Sequence, residues 1–515
     1  MFRSLRHIKR LLSLARLLAR HDALFALELA GVPPALLKAA AVGVDADTSG
    51  RPGERLARAL NEAGPSFIKL GQALSTRSDI LGEDLTEDLS SLQDDLPPFP
   101  SAEARAAIEE ELGETVDELF LSFNDEPVAA ASIAQVHFAQ TRDGREVAVK
   151  VLRPGIEAAF HRDVDLLRWI AEIAERTQPQ LRRLKPVASI ETLADTVELE
   201  MDLRFEAAAA AELRENFAGD PDFCVPEVDW PLTARRVLTT ERLTDGIPLD
   251  DRDAIVDAGF DPTDVLTKAA AASFRQVFRD GFFHADTHPG NMFVLPDGRI
   301  GVVDFGIMGR LDLKTRRSIA EMLVSFLNRD YRRAAEVHFE AGWVPRDRSI
   351  DSFTQACRSI AEPILDKPQN EISIARLLAQ LFQITETFRM ETQPQLLLLQ
   401  KTMLVAEGTA RKLAPEANMW FLIRPLIEEW IYDNLGPEAK VRDAVRNLQD
   451  ALERLPEMVE SVEQGSRMMA EGSFKLHPDT IRALREGDKS RPRQGIVLWL
   501  AALALLVLFI AVLFD

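Results

Sequence analysis

One segment of the sequence indicates the fold more clearly than any other. It reads Phe282-Phe283-His284-Ala285-Asp286-Thr287-His288-Pro289-Gly290-Asn291 and is followed by Val302-Val303-Asp304-Phe305-Gly306. It places an Asp, an Asn five residues later, and a second Asp at the head of Asp-Phe-Gly. In a phosphoryl-transfer site of the protein-kinase type, one carboxylate positions or deprotonates the attacking hydroxyl, while an amide oxygen and a second carboxylate hold Mg²⁺ on the nucleotide phosphates. The pattern therefore predicts Asp286 as a catalytic residue and Asn291 and Asp304 as metal ligands.

The segment between these residues supports that interpretation. Taken singly, Asp-Phe-Gly is a common loop tripeptide, and an isolated Asn is often a turn residue. The apolar runs 292–295 and 300–303, however, are joined by Pro-Asp-Gly-Arg, which is typical of a β-hairpin. A hairpin would bring Asn291 and Asp304, at its two outer ends, close together, as shared metal ligation requires.

Composition limits the function classes. A chain of 515 residues is too long for one ordinary core, so two or three structural units are expected. The excess of 82 Asp and Glu over 61 Lys and Arg, a net charge of −21, argues against general nucleic-acid binding. Cys224 and Cys357 are far apart and belong to no Cys-x-x-Cys motif, so neither a disulfide framework nor a zinc site is predicted.

Both ends of the chain depart from this acidic average. Residues 1–21 are basic with interleaved leucines, which predicts an amphipathic helix that either docks on the protein itself or contacts a membrane surface. Residues 495–514 form an uncharged apolar run of bilayer length, which predicts a transmembrane helix. Lys489, Arg491 and Arg493 precede that run, so the positive-inside rule keeps the large N-terminal part in the cytoplasm.

Near residue 120 the hydrophobic pattern of the chain changes from helical periodicity to the alternation of β-strands. Period-two alternation predicts a small antiparallel sheet with strands at 120–123, 135–140 and 146–151, and 225–228 and 237–243 are predicted as closing strands of the same unit. Helical periodicity dominates again after residue 248, apart from the hairpin. A sheet lobe followed by a helical lobe, with metal ligands at the junction, is the layout of a kinase-like fold.

The predicted fold class is therefore α+β, a protein-kinase-like bilobal fold with an N-terminal helical extension and a C-terminal transmembrane helix. The predicted divisions are a basic amphipathic helix (1–30), the helical extension (31–118), a kinase-like N-lobe (119–247), a helical C-lobe (248–470), a linker (471–494) and the transmembrane helix (495–514).

The N-lobe offers a cation for the phosphates. Val147-Ala148-Val149-Lys150 presents a lysine in the strand context that a kinase lysine requires, although a lysine ending an apolar strand is also a common edge residue. A single helix is predicted around 190–215, with carboxylates at 198, 202 and 206 on one face at i, i+4 spacing. Spacing alone leaves open which of them pairs with Lys150.

The loop expected over the phosphates is unusual because alanine stands at each position where a kinase has glycine. The candidate nucleotide-binding residues here are Ala129, Ala131, Ser132, Ala134 and Val136. Alanine disfavours positive φ, so the loop should be stiffer than a glycine-rich one. The structural alternative is that this Ala-rich run begins a helix.

With these residues assembled, the sequence resembles the UbiB family of atypical kinase-like proteins, the ubiquinone-biosynthesis group that also includes AarF. Lys69-Leu70-Gly71-Gln72 fits the family's Lys-x-Gly-Gln signature, Ala129 to Ala134 its alanine-rich loop, and Glu200-Met201-Asp202 its Glu-x-Asp motif. The resemblance implies that Lys150 pairs with Glu206, and that Lys69 reaches Glu200 or Asp202. It also implies that the extension covers the cleft with Lys69 entering the nucleotide site, so Lys69 joins the predicted catalytic residues.

The function implied by the resemblance is that of a membrane-anchored atypical kinase or ATPase that uses ATP or ADP with Mg²⁺ and supports ubiquinone biosynthesis. It implies the bacterial inner membrane as location, with a single-pass C-terminal anchor here, where members of the family generally have two spans. Membrane lipids and ubiquinone precursors or ubiquinone-biosynthesis enzymes are the implied partners, a homodimer is compatible, and nucleic acid is not expected. The alternatives are a small-molecule phosphotransferase of the aminoglycoside-kinase type and a pseudokinase scaffold for lipid-modifying enzymes.

Overall fold

A computed structural model of the chain describes residues 2–75, 82–90, 92, 96–177, 185–364, 380, 383–385, 387–390, 394–417 and 419–435. Nearly all of them belong to one compact unit, Met1–Tyr432. Within these ranges no helix combines the length and the apolar character needed to cross a bilayer. The predicted linker, the predicted transmembrane helix at 495–514 and the C-lobe beyond residue 435 lie outside the described residues.

The N-terminal region is helical, as expected. Its helices are α1 (Phe2–Arg20), α2 (Phe25–Leu29), α3 (Pro34–Ala41), α4 (Pro52–Ala63), α5 (Pro65–Leu74) and α6 (Glu83–Ser90). Leu11, Leu14 and Leu18, on the apolar face of the basic helix, are buried in a core shared with these helices. The leucines of α1 therefore pack on the protein, while contact of its basic face with lipid stays a prediction.

The N-lobe is a five-stranded antiparallel sheet preceded by two helices. Its elements are α7 (Ser101–Leu112), α8 (Val116–Leu119), β1 (Phe120–Phe123), β2 (Ala129–Ala130), β3 (Ala134–Thr141), β4 (Glu146–Leu152) and β6 (Val237–Glu241), in the order β1-β3-β4-β6 with β2 paired to β3. Because side chains alternate across a strand, Val147, Val149 and Val151 of β4 pack beneath α7, and Lys150 faces the other side. This alternation aims Lys150 at the cleft.

The helices that follow β4 correct one prediction. They are α9 (Ile156–Thr177), α10 (Pro186–Glu200) and α11 (Leu203–Asn216). The single helix predicted over 190–215 is wrong, because the chain breaks at Met201 and Asp202, where the Asp202 side chain accepts from the Arg204 N–H and caps α11. The i, i+4 alignment expected for residues 198, 202 and 206 is therefore also wrong.

A second correction concerns the predicted closing strands. β6 pairs with β4 as expected, but 225–228 contributes one isolated bridge, Val228 to Thr240. The neighbouring strand β5 (Phe223–Cys224) instead pairs in parallel with a strand of the C-lobe. The reason is that periodicity cannot tell which sheet a short strand joins.

The C-lobe is mostly helical with short strands around the site. Its helices are α12 (Arg252–Asp257), α13 (Pro262–Phe274) with a π-helical turn (Arg275–Asp280), α14 (Leu313–Leu327), α15 (Tyr331–Glu340), α16 (Ile350–Ala361), α17 (Pro394–Leu413) and α18 (Met419–Leu435). Its strands are β7 (Ile247–Pro248), β8 (Phe282–His284), β9 (Met292–Val294), β10 (Ile300–Val302) and β11 (Met308–Arg310). They form the sheet β5-β10-β9-β7 and the pair β11-β8. The α+β fold that the sequence predicts is confirmed, with more short strands in this lobe than periodicity indicates.

Candidate active site

Lys150 lies at the centre of a charged cluster between the lobes. Its Nζ donates to both carboxylate oxygens of Glu206, at 2.7 and 2.9 Å, and to Asp304 Oδ1 at 3.2 Å. Glu206 lies in the first turn of α11, which begins at the Asp202 cap. The helix break that the sequence did not predict thus starts the helix that carries the partner of Lys150, and Glu206 is the partner that the family resemblance implied.

Electrostatics keep Lys150 and Asp304 ionised. Burial by itself lowers the pKa of Lys150, but the nearby carboxylates of Asp304 and Glu206 outweigh it and raise that pKa well above its ordinary value. Attraction to Lys150 in turn lowers the pKa of Asp304 to about 2, against the effect of burial. Burial raises the pKa of Glu206, and Lys150 opposes that rise. At neutral pH the cleft therefore presents a cation beside an ionised Asp304.

The predicted hairpin is confirmed and brings the two candidate metal ligands together. β9 and β10 pair antiparallel, with Val302 opposite Met292, and the Val303 N–H donates to the Asn291 carbonyl oxygen at 2.9 Å. Asp304 follows directly, with a φ of 62°. A left-handed backbone is uncommon for a residue with a Cβ, and such strain often marks a functional position.

Asp286 follows β8 and is held through its backbone. Its N–H donates to Nδ1 of the buried His284 at 3.1 Å, and its carbonyl oxygen accepts from Asn291 Nδ2 at 3.2 Å. The other ring nitrogen of His284, Nε2, donates to the Val303 carbonyl oxygen at 3.2 Å, and burial lowers the pKa of the imidazole. A neutral His284 thus joins the catalytic loop to the strand that leads into Asp304.

The alanine loop is a strand and tight turn rather than the start of a helix. Ala129 is in β2, opposite Val136 of β3, and the Ala131 N–H donates to the Ala134 carbonyl oxygen at 2.7 Å. Ser132 is fully buried, and its hydroxyl has no hydrogen-bond partner in the described part of the chain. An unsatisfied buried hydroxyl is costly, so Ser132 fits a group that bonds a ligand.

Lys69 on α5 pairs with Glu200, the last residue of α10, at 3.0 Å, and both side chains are nearly buried. Asp202, the other partner that the family resemblance offered, binds the Arg204 guanidinium at 2.6 and 2.9 Å, and these hydrogen bonds lower its pKa. The signature lysine of the extension is thereby attached to the segment that leads into α11 and Glu206.

The donor set fits a magnesium ion shared with nucleotide phosphates. Asn291 uses its Nδ2 on the Asp286 carbonyl oxygen, so its Oδ1 is the atom suited to a metal, and Asp304 is ionised and half exposed to the cleft. Mg²⁺ prefers oxygen ligands and commonly takes one or two from the protein, with phosphates and water completing the shell. Asn291 and Asp304 are thus a sufficient set of protein ligands for Mg²⁺.

Two further polar residues at the site were not predicted from sequence. Lys401 of α17 donates from Nζ to Asp286 Oδ1 at 2.8 Å. The Thr287 hydroxyl, next to Asp286, is buried and lacks a hydrogen-bond partner in the described ranges. Lys401 carries no local signal because it is 115 residues downstream of Asp286. Thr287 could have been noted, since it lies between Asp286 and Asn291.

Comparison with known proteins now identifies the family. The model described as the ABC1 atypical kinase-like domain matches residues 91–338, and the one described as the UbiB helical domain matches residues 357–418. The "Probable protein kinase UbiB" of Marinobacter nauticus is 43% identical over 414 residues, which cover 80% of this chain and 76% of that protein. The protein of the same name from Azotobacter vinelandii is 44% identical over 410 residues, covering 79% and 75%.

The chain belongs to the UbiB family. The resemblance seen in the sequence is thereby confirmed, and the chain is assigned to the kinase-like class. Among solved structures, it is similar to a chain in the complex of Rv3197 with erythromycin from Mycobacterium tuberculosis, with a TM-score of 0.51 and 27% identity over 72% of this chain and 93% of that one. The two UbiB relatives named above are bacterial.

Proposed function

We propose that this UbiB-family chain binds a magnesium nucleotide, ATP or ADP, and hydrolyses it or transfers its terminal phosphoryl group in support of ubiquinone biosynthesis. The observation that carries the proposal is the placement of Lys150 between Glu206 and Asp304, at 2.7 and 3.2 Å. A cation fixed by a helical glutamate and next to a metal-binding carboxylate is the arrangement that kinase-type phosphoryl transfer requires.

Each residue has a defined part in this scheme. Lys150 binds phosphate oxygens, and the buried Ser132 hydroxyl is suited to donate to the nucleotide. Asn291 and Asp304 hold Mg²⁺, which when bound neutralises charge on the phosphates. Asp286 orients the acceptor hydroxyl or water and takes its proton, as the acceptor oxygen bonds to phosphorus and the bond to the bridging oxygen breaks. The Lys69–Glu200 pair fixes the extension near these groups.

The proposal includes attachment to the inner membrane through the predicted helix at 495–514, with the catalytic part in the cytoplasm. Its support is the uncharged apolar sequence and the preceding basic residues. Membrane lipids and ubiquinone precursors or ubiquinone-biosynthesis enzymes are the proposed partners, and a homodimer remains compatible. Deletion of 495–514 should release the protein from washed membranes, and continued sedimentation with them would contradict the anchor.

The function is tested by lipid profiling of a deletion strain complemented with wild-type protein or with Asp304→Asn. We expect ubiquinone to fall in the deletion strain and to be restored by wild type but not by Asp304→Asn. In purified protein, Mg²⁺ with ATP at about 100 times Kd should raise the free energy of unfolding of wild type by about 2.7 kcal/mol. Asp304→Asn should lose most of this gain. Unchanged ubiquinone in the deletion strain would exclude the pathway.

A scaffold role is separated from catalysis by Asp286→Asn. If the protein acts through phosphoryl transfer, Asp286→Asn should keep nucleotide-dependent stabilisation, because Asp286 is not a proposed metal ligand, yet fail to restore ubiquinone. If Asp304→Asn abolishes both nucleotide binding and function while Asp286→Asn restores function fully, the nucleotide serves as a structural switch.

A second candidate is action on a small molecule, favoured by the similarity to the chain in the Rv3197–erythromycin complex. This reading corresponds to the small-molecule phosphotransferase that the sequence left open. It predicts that erythromycin or an aminoglycoside raises the unfolding temperature, and that labelled phosphate passes from ATP to the added compound. Absence of both effects, with ubiquinone lost in the deletion strain, would exclude it.

A further inference from the structure

The contact between Lys401 and Asp286 joins two parts of the chain that the family models treat separately. Asp286 lies within the kinase-like match and Lys401 within the UbiB helical match. Nζ of Lys401 is 2.8 Å from Asp286 Oδ1, and the two side chains are 43% and 35% exposed. The pair is therefore at the open mouth of the site, where an acceptor has access.

The helix α17 holds Lys401 in place. The neighbouring residues Leu399 and Thr402 are buried, and the Thr402 hydroxyl donates back to the Leu398 carbonyl oxygen at 2.9 Å. At the end of the helix, Arg252 of α12 donates to the carbonyl oxygen of the fully buried Leu413 at 3.2 Å. The backbone at Lys401 is thus fixed by packing, while its long side chain reaches the catalytic loop.

The carboxylate of Asp286 depends on this lysine for its orientation. In the described part of the chain, Lys401 is the hydrogen-bond donor recorded for the Asp286 carboxylate, whereas the backbone of Asp286 is held by His284 and Asn291. Between Asp286 and Asn291 the sequence reads Thr-His-Pro-Gly, so the loop itself supplies neither Lys nor Arg. A cation that keeps its charge across neutral pH must therefore come to the acceptor side from elsewhere in the fold.

The contact with Asp286 places the Lys401 ammonium close to the position of an acceptor. An acceptor hydroxyl bonded to the free oxygen of Asp286 would lie about 2.7 Å from it, close to the ammonium on the other oxygen. Lys150 is committed to Glu206 and Asp304 on the nucleotide side. The two lysines thus serve different carboxylates, Lys150 on the nucleotide side and Lys401 on the acceptor side, and phosphoryl transfer depends on the positioning of such groups.

We propose that Lys401 is the positioning residue of the acceptor side: it orients the Asp286 carboxylate toward the acceptor, so that the UbiB helical domain completes the active site. The inference rests on the proposed phosphoryl-transfer function. It assigns the helical domain a part in turnover rather than in stability or nucleotide binding.

The test is steady-state hydrolysis of ATP with Mg²⁺ by the full chain, with water as acceptor. Lys401→Met should lower kcat by about tenfold to a hundredfold, since misplacement of a catalytic group costs rates of this order, and should leave KM within about threefold. Lys401→Arg, which keeps the charge and the reach, should restore kcat to within about threefold of wild type. Lys412→Met is the matched control, because Lys412 lies on the same helix and pairs with Asp250 at 3.3 Å.

A double-mutant cycle separates positioning from a structural role. If Lys401 acts through Asp286, Lys401→Met should lower kcat no further in an Asp286→Asn background. Additive losses, equal losses in Lys412→Met, or a parallel loss of nucleotide-dependent stabilisation in Lys401→Met would overturn the inference. A higher turnover in Lys401→Met than in wild type would also overturn it, because the contact between Lys401 and Asp286 would then inhibit catalysis.

The two proposals fail in different ways. If wild type shows no turnover, or Asp304→Asn turns over ATP as wild type does, the proposed function fails and the role of Lys401 fails with it. If Asp304→Asn loses turnover while Lys401→Met keeps it within about twofold, the inference about Lys401 alone is wrong.

Discussion

The nucleotide side and the acceptor side of this site are built differently. On the nucleotide side, Lys150 makes three hydrogen bonds to two carboxylates, and its side chain and that of Glu206 are 17% and 8% exposed. On the acceptor side, Lys401 bonds Asp286 Oδ1, its one side-chain hydrogen bond among the described residues, and both side chains are substantially exposed. The first arrangement is largely buried and held by several hydrogen bonds, whereas the second is exposed to solvent.

Under the proposed function, this difference assigns nucleotide binding to the buried side of the site and acceptor binding to the exposed side. The buried pair belongs to β4, whose valines pack in the N-lobe core, and to α11, which packs in a core that it shares with elements of the C-lobe. The exposed pair joins the catalytic loop to a helix from the UbiB helical domain. Phosphoryl transfer depends mainly on positioning and electrostatics, so a rigid phosphate site combined with an accessible acceptor side is chemically sufficient.

The largest expected effect contrasts the two lysines in stability. Lys150→Met leaves Glu206 buried without its counter-ion, and breaking a buried pair in this way should lower the free energy of unfolding by about 3 kcal/mol. Lys401→Met breaks an exposed pair and should cost less than about 1 kcal/mol. Urea unfolding of both variants measures the difference. Equal losses would show that the two sides are not built differently.

An intermediate effect follows from the pKa of Asp304. Its pKa is lowered to about 2 from an ordinary 3.8, so its interaction with Lys150 contributes stability that is complete above about pH 5 and lost as pH falls toward 2. Because the side chain is half exposed, solvent screening limits this contribution to about 1 kcal/mol. The unfolding free energies of wild type and Asp304→Asn should converge between pH 5 and 2.5. If the difference in unfolding free energy between the two proteins grows as the pH falls, the predicted pH dependence is wrong.

The smallest effect concerns the link from the extension to the site. Lys69 and Glu200 are 3.0 Å apart with side chains 11% and 13% exposed. A double-mutant cycle of Lys69→Met and Glu200→Gln should give a coupling energy of about 0.5 to 1 kcal/mol in the absence of nucleotide. Val42→Ala, at an exposed position of the extension, serves as the uncoupled control. A coupling energy indistinguishable from that of the control would show that the Lys69–Glu200 pair does not link the extension energetically to the nucleotide side.

Structural features could be predicted from the sequence where a short motif specifies its own geometry. The hairpin between Asn291 and Asp304 forms as predicted, because its apolar runs and turn residues specify the pairing without help from the rest of the chain. The cleft-facing direction of Lys150 follows from period-two alternation in β4. The family resemblance added Glu206 as the partner of Lys150, which spacing had left open. For Lys69 it offered Glu200 or Asp202, and the structure shows the pair with Glu200.

Other features depended on contacts that no local pattern encodes. Helical periodicity continued through Met201 and Asp202, and it is the cap at Asp202 that divides α10 from α11. β5 joined the C-lobe sheet although its sequence neighbours lie beside the N-lobe strand β6.

By itself, the sequence determined the α+β kinase-like fold, the Asp286–Asn291–Asp304 set and the lysine that faces it. Tertiary structure decided where the helix before Glu206 begins and which cation meets Asp286. The physical reason is range: hairpins and strand faces are set by residues within a few positions of one another, whereas the contact between Lys401 and Asp286 spans 115 residues and arises from the packing of α17 against α13 and β11.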